Sequence, residues 1–260
     1  MKKLCTYTKE DNKKQTSCSF PPKAGENRTQ VECSKKKRYF SKFEIILWCC
    51  SVLLTVAAFA VFDRGNYIIP IASVIGATYL IFNAKGNPIG QALLIIFSAL
   101  YGVISYSFAY YGEMVTYLGM STPMAAVALI AWLRNPYNGS RAEVKINSLR
   151  KREVVFMLAL TAAVTFMFYF ILKYFRTANM IPSTLSVATS FAAVYLTVRR
   201  SRYFALAYAA NDIILIILWT LASLDNKLYI SVTICFVMFL ANDIYSFINW
   251  TEIHKRQRKN

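Results

Sequence analysis

Eight long apolar runs constrain this chain more than any other feature of its sequence. They are Ile45–Val61, Ile68–Phe82, Gln91–Tyr110, Met114–Leu133, Val154–Leu172, Ser183–Val198, Phe204–Leu224 and Tyr229–Trp250. Several approach the roughly 20 residues that a helix needs to cross the hydrocarbon core of a bilayer. Strands of a β-barrel would be about half as long and would alternate polar with apolar residues. The sequence therefore predicts an all-α, polytopic membrane protein with eight transmembrane helices.

The polar and basic segments divide the chain into three parts. Residues 1–42 form a basic tail that is poor in aliphatic residues, so we expect this tail to be disordered and cytoplasmic. Residues 43–252 form the transmembrane domain, and residues 253–260 form a second basic cytoplasmic tail.

The positions of the basic residues predict the orientation of the helices. If residues 1–42 are cytoplasmic and all eight runs cross, 26 of the 30 Lys and Arg residues lie inside and four lie outside. This asymmetry follows the positive-inside rule and places both termini in the cytoplasm. The net charge of +17 therefore reflects membrane topology, and no zinc-finger spacing or base-reading basic helix points to a nucleic-acid partner. The partner that the pattern predicts is the lipid bilayer.

The spacing of the runs indicates an internal repeat. The first triplet (68–133) starts its runs at 68, 91 and 114, and the second triplet (183–250) starts its runs at 183, 204 and 229. A single linker helix (154–172) lets the second triplet enter the membrane from the same side as the first. The predicted architecture is a leading helix followed by 3+1+3 parallel repeats, which is a recurring transporter design.

The last two runs share a short sequence phrase, and each of its two copies holds one aspartate. Asn211–Ile213 reads Asn-Asp-Ile and is followed by Trp219, and Asn242–Ile244 reads the same and is followed by Trp250. No other formal charge lies inside an apolar run, and a carboxylate near the bilayer centre costs about 2.5–3.5 kcal/mol on insertion scales. This cost makes the two phrases the leading candidates for a functional site.

The predicted topology places the two phrases at matching depth. Asn211 lies about 10 Å and Asn242 about 12 Å from the cytoplasmic ends of their helices, taking the helical rise per residue. Asp212 and Asp243 could then face each other across a cavity. The alternative is that these four side chains only hydrogen-bond neighbouring helices as packing contacts.

The aromatic residues near these phrases divide into two groups. Trp132 and Trp250 lie at predicted cytoplasmic ends, where an aromatic belt accounts for them. Trp219 lies in the outer half of the seventh run, where no aromatic belt is needed to account for it, and is the better candidate for stacking on a ligand. Gln91 and Tyr101 give the third run a polar character and could hydrogen-bond a hydroxyl-rich ligand.

Several catalytic and cofactor-binding signatures are missing from the sequence. It contains no GxxxxGK[ST] loop, so ATP-driven transport by this chain alone is not expected. His254 is the sole histidine and the six cysteines form no CxxC pair, so neither a metal site nor a cofactor is predicted.

Four stretches resemble the PnuC family of bacterial vitamin transporters for nicotinamide riboside. They are NAKGNPIGQ (83–91), ALYGVISYSFAYYGEMVTYLG (99–119), RSRYFALAYAANDI (200–213) and FLANDIYSFINW (239–250), and the resemblance extends over residues 41–252. It implies a SWEET-like 3+1+3 fold in the bacterial plasma membrane and facilitated diffusion of nicotinamide riboside. It also implies coupling to an intracellular riboside kinase, whose phosphorylation traps the substrate for NAD synthesis.

The resemblance extends to individual residues. Asn211 and Asn242 match the asparagines of two family motifs, and we expect them to hydrogen-bond the substrate. Family members often carry a Trp four residues before the first of these asparagines, where this chain has Ala207 with Tyr208 beside it. Tyr208 and Trp219 are therefore the candidate aromatic contacts, while Asp212 or Asp243 would favour the positively charged ring.

Other functions stay open at this level. The substrate could be another nucleoside-like compound, vitamin or sugar, or the phosphorylated form of the riboside. Asp212 and Asp243 could instead form the acid pair of an intramembrane enzyme, or the chain could be a scaffold that transports nothing. The oligomeric state stays open between a monomer and a homo-oligomer, and ion coupling is equally undecided.

Overall fold

The described part of the chain is almost entirely helical. The computed structural model describes residues 39–62, 67–108, 110–177 and 179–259. The α-helices are α1 (Lys42–Phe62), α2 (Ile68–Ala84), α3 (Ile89–Ser107), α4 (Tyr111–Val115), α5 (Thr122–Leu133), α6 (Lys151–Tyr174), α7 (Met180–Val198), α8 (Phe204–Asp225) and α9 (Ile230–Lys259). The predicted basic tail lies outside the described residues up to position 38.

The lengths of the helices agree with a membrane-spanning protein. Within the described ranges, seven helical segments are long and apolar enough to cross a bilayer, counting Tyr111–Leu133 as one. The helix α2 has 17 residues and extends about 26 Å, slightly less than the roughly 30 Å hydrocarbon core. The predicted class, an α-helical multi-pass membrane protein, is confirmed.

The fourth predicted run is interrupted in the structure. It begins at Tyr111 rather than Met114, and a π-helical turn (Thr116–Ser121) separates α4 from α5. Pro123 has no amide hydrogen to donate to the carbonyl four residues earlier, which favours a local change of helical register. The Thr122 hydroxyl donates to the carbonyl of Tyr117, five residues earlier, at 2.9 Å. Single π-helical turns of this kind often occur at functional sites.

A β-hairpin between α5 and α6 departs from the all-α expectation. Strands β1 (Pro136–Tyr137) and β2 (Ser140–Val144) pair antiparallel around Asn138 and Gly139, which both adopt positive φ. The amide of Val144 donates to the carbonyl of Gly86 between α2 and α3 at 2.9 Å. The side chain of Gln257 on α9 donates to Glu143 at 2.8 Å. The hairpin therefore contacts both the α2–α3 connection and the C-terminal part of α9.

Trp132 and Trp250 are core residues, so the expectation that they form an aromatic belt is wrong. Neither ring is exposed, and their centroids lie 5.4 Å apart. The Trp250 indole donates to the carbonyl of Asn83 at 2.7 Å, and the Trp132 indole donates to the carbonyl of Thr197 at 2.9 Å. Each indole satisfies a buried carbonyl near the end of another helix, which an interfacial ring would not do.

We expect Trp250→Phe to destabilise the protein because it removes the buried indole hydrogen bond to the Asn83 carbonyl, which then keeps only the Gly86 amide as its donor. The expected loss is about 1–2 kcal/mol, measured as a lower Tm in detergent. Trp48→Phe is the matched control, since Trp48 is half-buried and its partner, the Thr78 hydroxyl, also bonds the carbonyl of Val74. Equal Tm values for the two variants would contradict this role for Trp250.

Candidate functional site

Two carboxyl groups meet inside the helical bundle. Asp212 on α8 and Asp243 on α9 are each less than 5% exposed, and their carboxyl groups lie close enough to interact. An ionised carboxylate only accepts hydrogen bonds, so a hydrogen bond between the two requires that one of them carries a proton. The Asp212 Oδ2 atom has no hydrogen-bond partner.

A small cavity adjoins this pair at the meeting point of α2, α3, the π-helical turn, α7, α8 and α9. Its apolar and aromatic lining residues are Tyr79, Leu94, Phe97, Tyr117, Tyr208, Phe236 and Phe239, and its other polar lining residues are Ser98, Ser121, Ser190, Asn211 and Asp212. Its volume is about 20 Å³. A single water molecule needs about 10–15 Å³ on this scale, so the cavity holds little more than one.

The amide of Asn211 is oriented by two hydroxyl groups on α7. Its Oδ1 atom accepts hydrogen bonds from Thr189 at 2.9 Å and from Ser190 at 3.0 Å. None of the hydrogen bonds described for Asn211 uses its amide nitrogen. Because the oxygen is occupied by protein donors, the amide hydrogens are the groups that Asn211 offers to the cavity.

Asn242, which the sequence treats as equivalent, has different surroundings. Its Nδ2 atom donates to the Ser51 hydroxyl on α1 at 2.9 Å and to the carbonyl of Met238 at 2.7 Å. It does not line the cavity. In this structure, Asn242 therefore connects α9 to α1, and only Asn211 faces the cavity.

Trp219 and Tyr101 lie behind the cavity wall rather than in it. Trp219 is fully buried, and its indole donates to the Tyr101 hydroxyl at 2.8 Å. The Tyr101 ring packs against Phe97 and Tyr117, with centroids 5.8 and 4.3 Å apart. Phe97 and Tyr117 do line the cavity, so Trp219 and Tyr101 support the rings that face it.

Gln91 belongs to a separate polar contact near the start of α3. Its Nε2 atom donates to Asn83 Oδ1 at 2.9 Å, and it is fully buried. A Cβ atom at Gly90 would lie 2.2 Å from the same Asn83 oxygen, so this close approach of α2 and α3 requires glycine. Gln91 is not among the residues that line the cavity.

Sequence reasoning missed two buried acids because it searched only inside the apolar runs. Glu113 on α4 lies one residue before such a run, is 1% exposed and accepts a hydrogen bond from Ser186 at 3.0 Å. Glu44 on α1 is equally buried and pairs with Lys85 at 2.8 Å. An acid directly before an apolar run is the sequence signal that could have identified both.

Comparison of the sequence with known proteins identifies the family. The family model described as "Nicotinamide mononucleotide transporter" matches residues 66–252. The chain belongs to this family of membrane transporters. It is similar to the nicotinamide riboside transporter PnuC of Neisseria mucosa, with 28% identity over 84% of each chain. The corresponding protein of Haemophilus influenzae is 22% identical over 82% of this chain and 92% of its own.

A solved structure supports the same relationship. The crystal structure of the vitamin B3 transporter PnuC superimposes with a TM-score of 0.74 at 26% identity. The match covers 84% of this chain and 94% of the other. The family that the sequence stretches indicated is therefore confirmed, and the helical membrane fold matches that of a solved PnuC transporter.

We expect Ser51 and Asn242 to be energetically coupled. Ser51→Ala and Asn242→Ala each remove the same interhelical hydrogen bond, so the double variant should lose less stability than the two single losses added together. The expected coupling energy is about 0.6 kcal/mol, typical of a hydrogen bond between membrane helices. Reversible unfolding of the four proteins in detergent measures it. Additive losses would show that the hydrogen bond contributes nothing.

Proposed function

We propose that this protein carries nicotinamide riboside into the cell by facilitated diffusion. The observation that carries the proposal is the composition of the cavity wall, which combines one carboxyl group, one oriented amide and several aromatic rings. The family and the names of its relatives support a transporter with such a substrate. An intracellular riboside kinase would then trap the product by adding a phosphate.

The chemistry of the substrate matches the groups on the cavity wall. Nicotinamide riboside joins a positively charged aromatic ring to a ribose. A carboxylate and the faces of aromatic rings both attract such a cation, which favours Asp212 and Tyr117 as its neighbours. Ribose hydroxyl groups both donate and accept hydrogen bonds, which suits the amide of Asn211 and the hydroxyl of Ser98.

The eight candidate residues take different roles in this proposal. Asn211, Asp212 and Tyr208 contact the substrate directly because they line the cavity. Asp243 acts through the proton that it shares with Asp212. The remaining candidates position their neighbours: Trp219 and Tyr101 support the aromatic wall, and Asn242 and Gln91 connect helices.

The charge of the cavity favours the riboside over the mononucleotide. The phosphate of the mononucleotide would need a Lys or Arg partner in a buried site. None of the lining residues that the structure describes is basic, and one of them is an acid. A phosphate in this cavity would meet a carboxyl group instead of a cation.

The transport cycle that we propose requires the cavity to open. A site for a nucleoside-sized molecule is far larger than the cavity of about 20 Å³ seen here. Helices α2, α3 and α4 start 112, 115 and 119 residues before α7, α8 and α9, respectively. These offsets support 3+1+3 parallel repeats, and rocking of one triplet against the other would open the site alternately to each side.

The orientation in the membrane is also part of the proposal. We place both termini in the cytoplasm and the protein in the bacterial plasma membrane. The support is the distribution of Lys and Arg, with 26 of 30 on the cytoplasmic side in this arrangement. The α3–α4 connection then lies on the outer side.

Uptake into liposomes tests the proposal. Liposomes that contain the purified protein, without kinase or ATP, should equilibrate labelled nicotinamide riboside faster than empty liposomes, and unlabelled riboside should compete. Asn211→Ala removes the donor that faces the cavity and should raise the half-saturating concentration about tenfold, equivalent to about 1.4 kcal/mol.

The matched control is Asn226→Ala, which changes an exposed asparagine at the end of α8. It should leave the half-saturating concentration unchanged. Absence of flux and of calorimetric binding in the wild-type protein would refute the substrate assignment. Unchanged affinity in a folded Asn211→Ala protein would refute the role of Asn211 alone.

A further inference from the structure

Glu113 is a buried acid that the central cavity does not include. It lies on α4, at the α3–α4 end of the bundle, and only 1% of its surface is exposed. Its Oε1 atom accepts a hydrogen bond from Ser186 on α7 at 3.0 Å. Its Oε2 atom is buried and has no hydrogen-bond partner. One oxygen of this carboxyl group is therefore held in place, while the other has no hydrogen-bond partner among the described residues.

No basic side chain among the described residues neutralises Glu113. The ion pairs in that part of the chain join Lys85 with Glu44, Arg199 with Glu153 and Arg256 with Glu143. Glu44 shows how this protein stabilises a structural acid of similar burial, since it has both Lys85 and a hydrogen bond from Tyr245. A buried carboxylate without a positive partner is costly, which makes it a candidate for function.

Tyr117 connects Glu113 to the central cavity. It lies four residues after Glu113, so the two side chains share one face of the helical segment. Its hydroxyl group interacts electrostatically with the carboxyl groups of both Glu113 and Asp212, and its ring lines the cavity. The Tyr101 hydroxyl, whose ring lies 4.3 Å from that of Tyr117, also interacts with Glu113. Tyr117 therefore lies near both the unpaired acid and the acid of the cavity, with the Tyr101 ring packed against it.

The backbone before Glu113 packs closely against a neighbouring helix, whereas the backbone after it forms an irregular helical turn. A Cβ atom at Gly112 would lie 2.4 Å from Leu172 and 2.7 Å from Thr177, so α4 packs closely against the end of α6. The π-helical turn follows within three residues and carries both Tyr117 and Ser121 to the cavity. The acid is thus fixed in position, next to a segment whose helical register is already altered.

We infer that Glu113 forms a second cation-binding site, on the path between the α3–α4 end of the bundle and the Asp212 cavity. Its ligand is the positively charged aromatic ring of the transported substrate, which Tyr101 and Tyr117 would flank. This inference rests on the proposed function, because it requires a cationic substrate. The site lowers the barrier that a cation meets before it reaches Asp212.

A comparison of charged and uncharged substrates tests the inference. Nicotinamide riboside is a cation, whereas its dihydro form has nearly the same shape and no charge. Glu113→Gln keeps the size and hydrogen-bonding capacity of the side chain and removes the charge. We expect the initial rate of cation uptake into liposomes to fall about tenfold, equivalent to about 1.4 kcal/mol. Uptake of the dihydro form should change less than about twofold on the same scale.

Two further variants complete the experiment. Glu252→Gln makes the same chemical change at an exposed position of α9 and should leave both rates unchanged. Glu113→Asp keeps the charge and should retain the preference for the cation, even if the shorter side chain slows both substrates.

Each outcome bears on a different claim. Equal rates for Glu113→Gln and wild type would show that Glu113 is a neutral packing residue and would overturn the inference. An equal loss for both substrates would show that Glu113 is structural and would overturn it as well. If the wild-type protein carries no cation at all, the proposed function fails and this inference fails with it.

Discussion

The cost of burying a carboxyl group governs the arrangement of the last two helices. Asp212 and Asp243 lie where an isolated charge is expensive, and a proton shared between them would reduce that cost. Asn211 directly precedes Asp212 on α8 and lines the same cavity. The remaining Asp212 oxygen then lies at a cavity whose other walls are largely aromatic. The site therefore places one carboxyl group at the cavity, next to a second carboxyl group that can share a proton with it.

The aromatic wall depends in turn on contacts outside the cavity. Trp219 donates to Tyr101, and the Tyr101 ring packs against Phe97 and Tyr117. At the other end of the bundle, Trp250 and Trp132 satisfy carbonyl groups of neighbouring helices. The four tryptophans therefore donate hydrogen bonds between helices, whereas the rings that face the cavity are tyrosine and phenylalanine.

Much of the fold can be predicted from patterns along the amino-acid sequence, whereas the functional site can be predicted from them only in part. Run length predicted the membrane helices, and the cost of intramembrane charge singled out Asp212 and Asp243. The two Asn-Asp phrases look alike in sequence, yet Asn211 faces the cavity and Asn242 contacts Ser51 on α1. That difference depends on packing against a helix almost 200 residues away. Glu113 escaped notice because it lies one residue before an apolar run, and its contact with Ser186 on α7 is 73 residues away in sequence.

A structure of the protein with nicotinamide riboside bound tests the central claim most directly. The account predicts an enlarged cavity with the pyridinium ring beside Asp212 and within about 6 Å of the Tyr117 or Phe97 ring. The ribose should lie within hydrogen-bonding distance of the Asn211 amide. Riboside bound on another face of the bundle, with Asp212 and Asn211 still enclosed around a cavity the size of one water molecule, would contradict it.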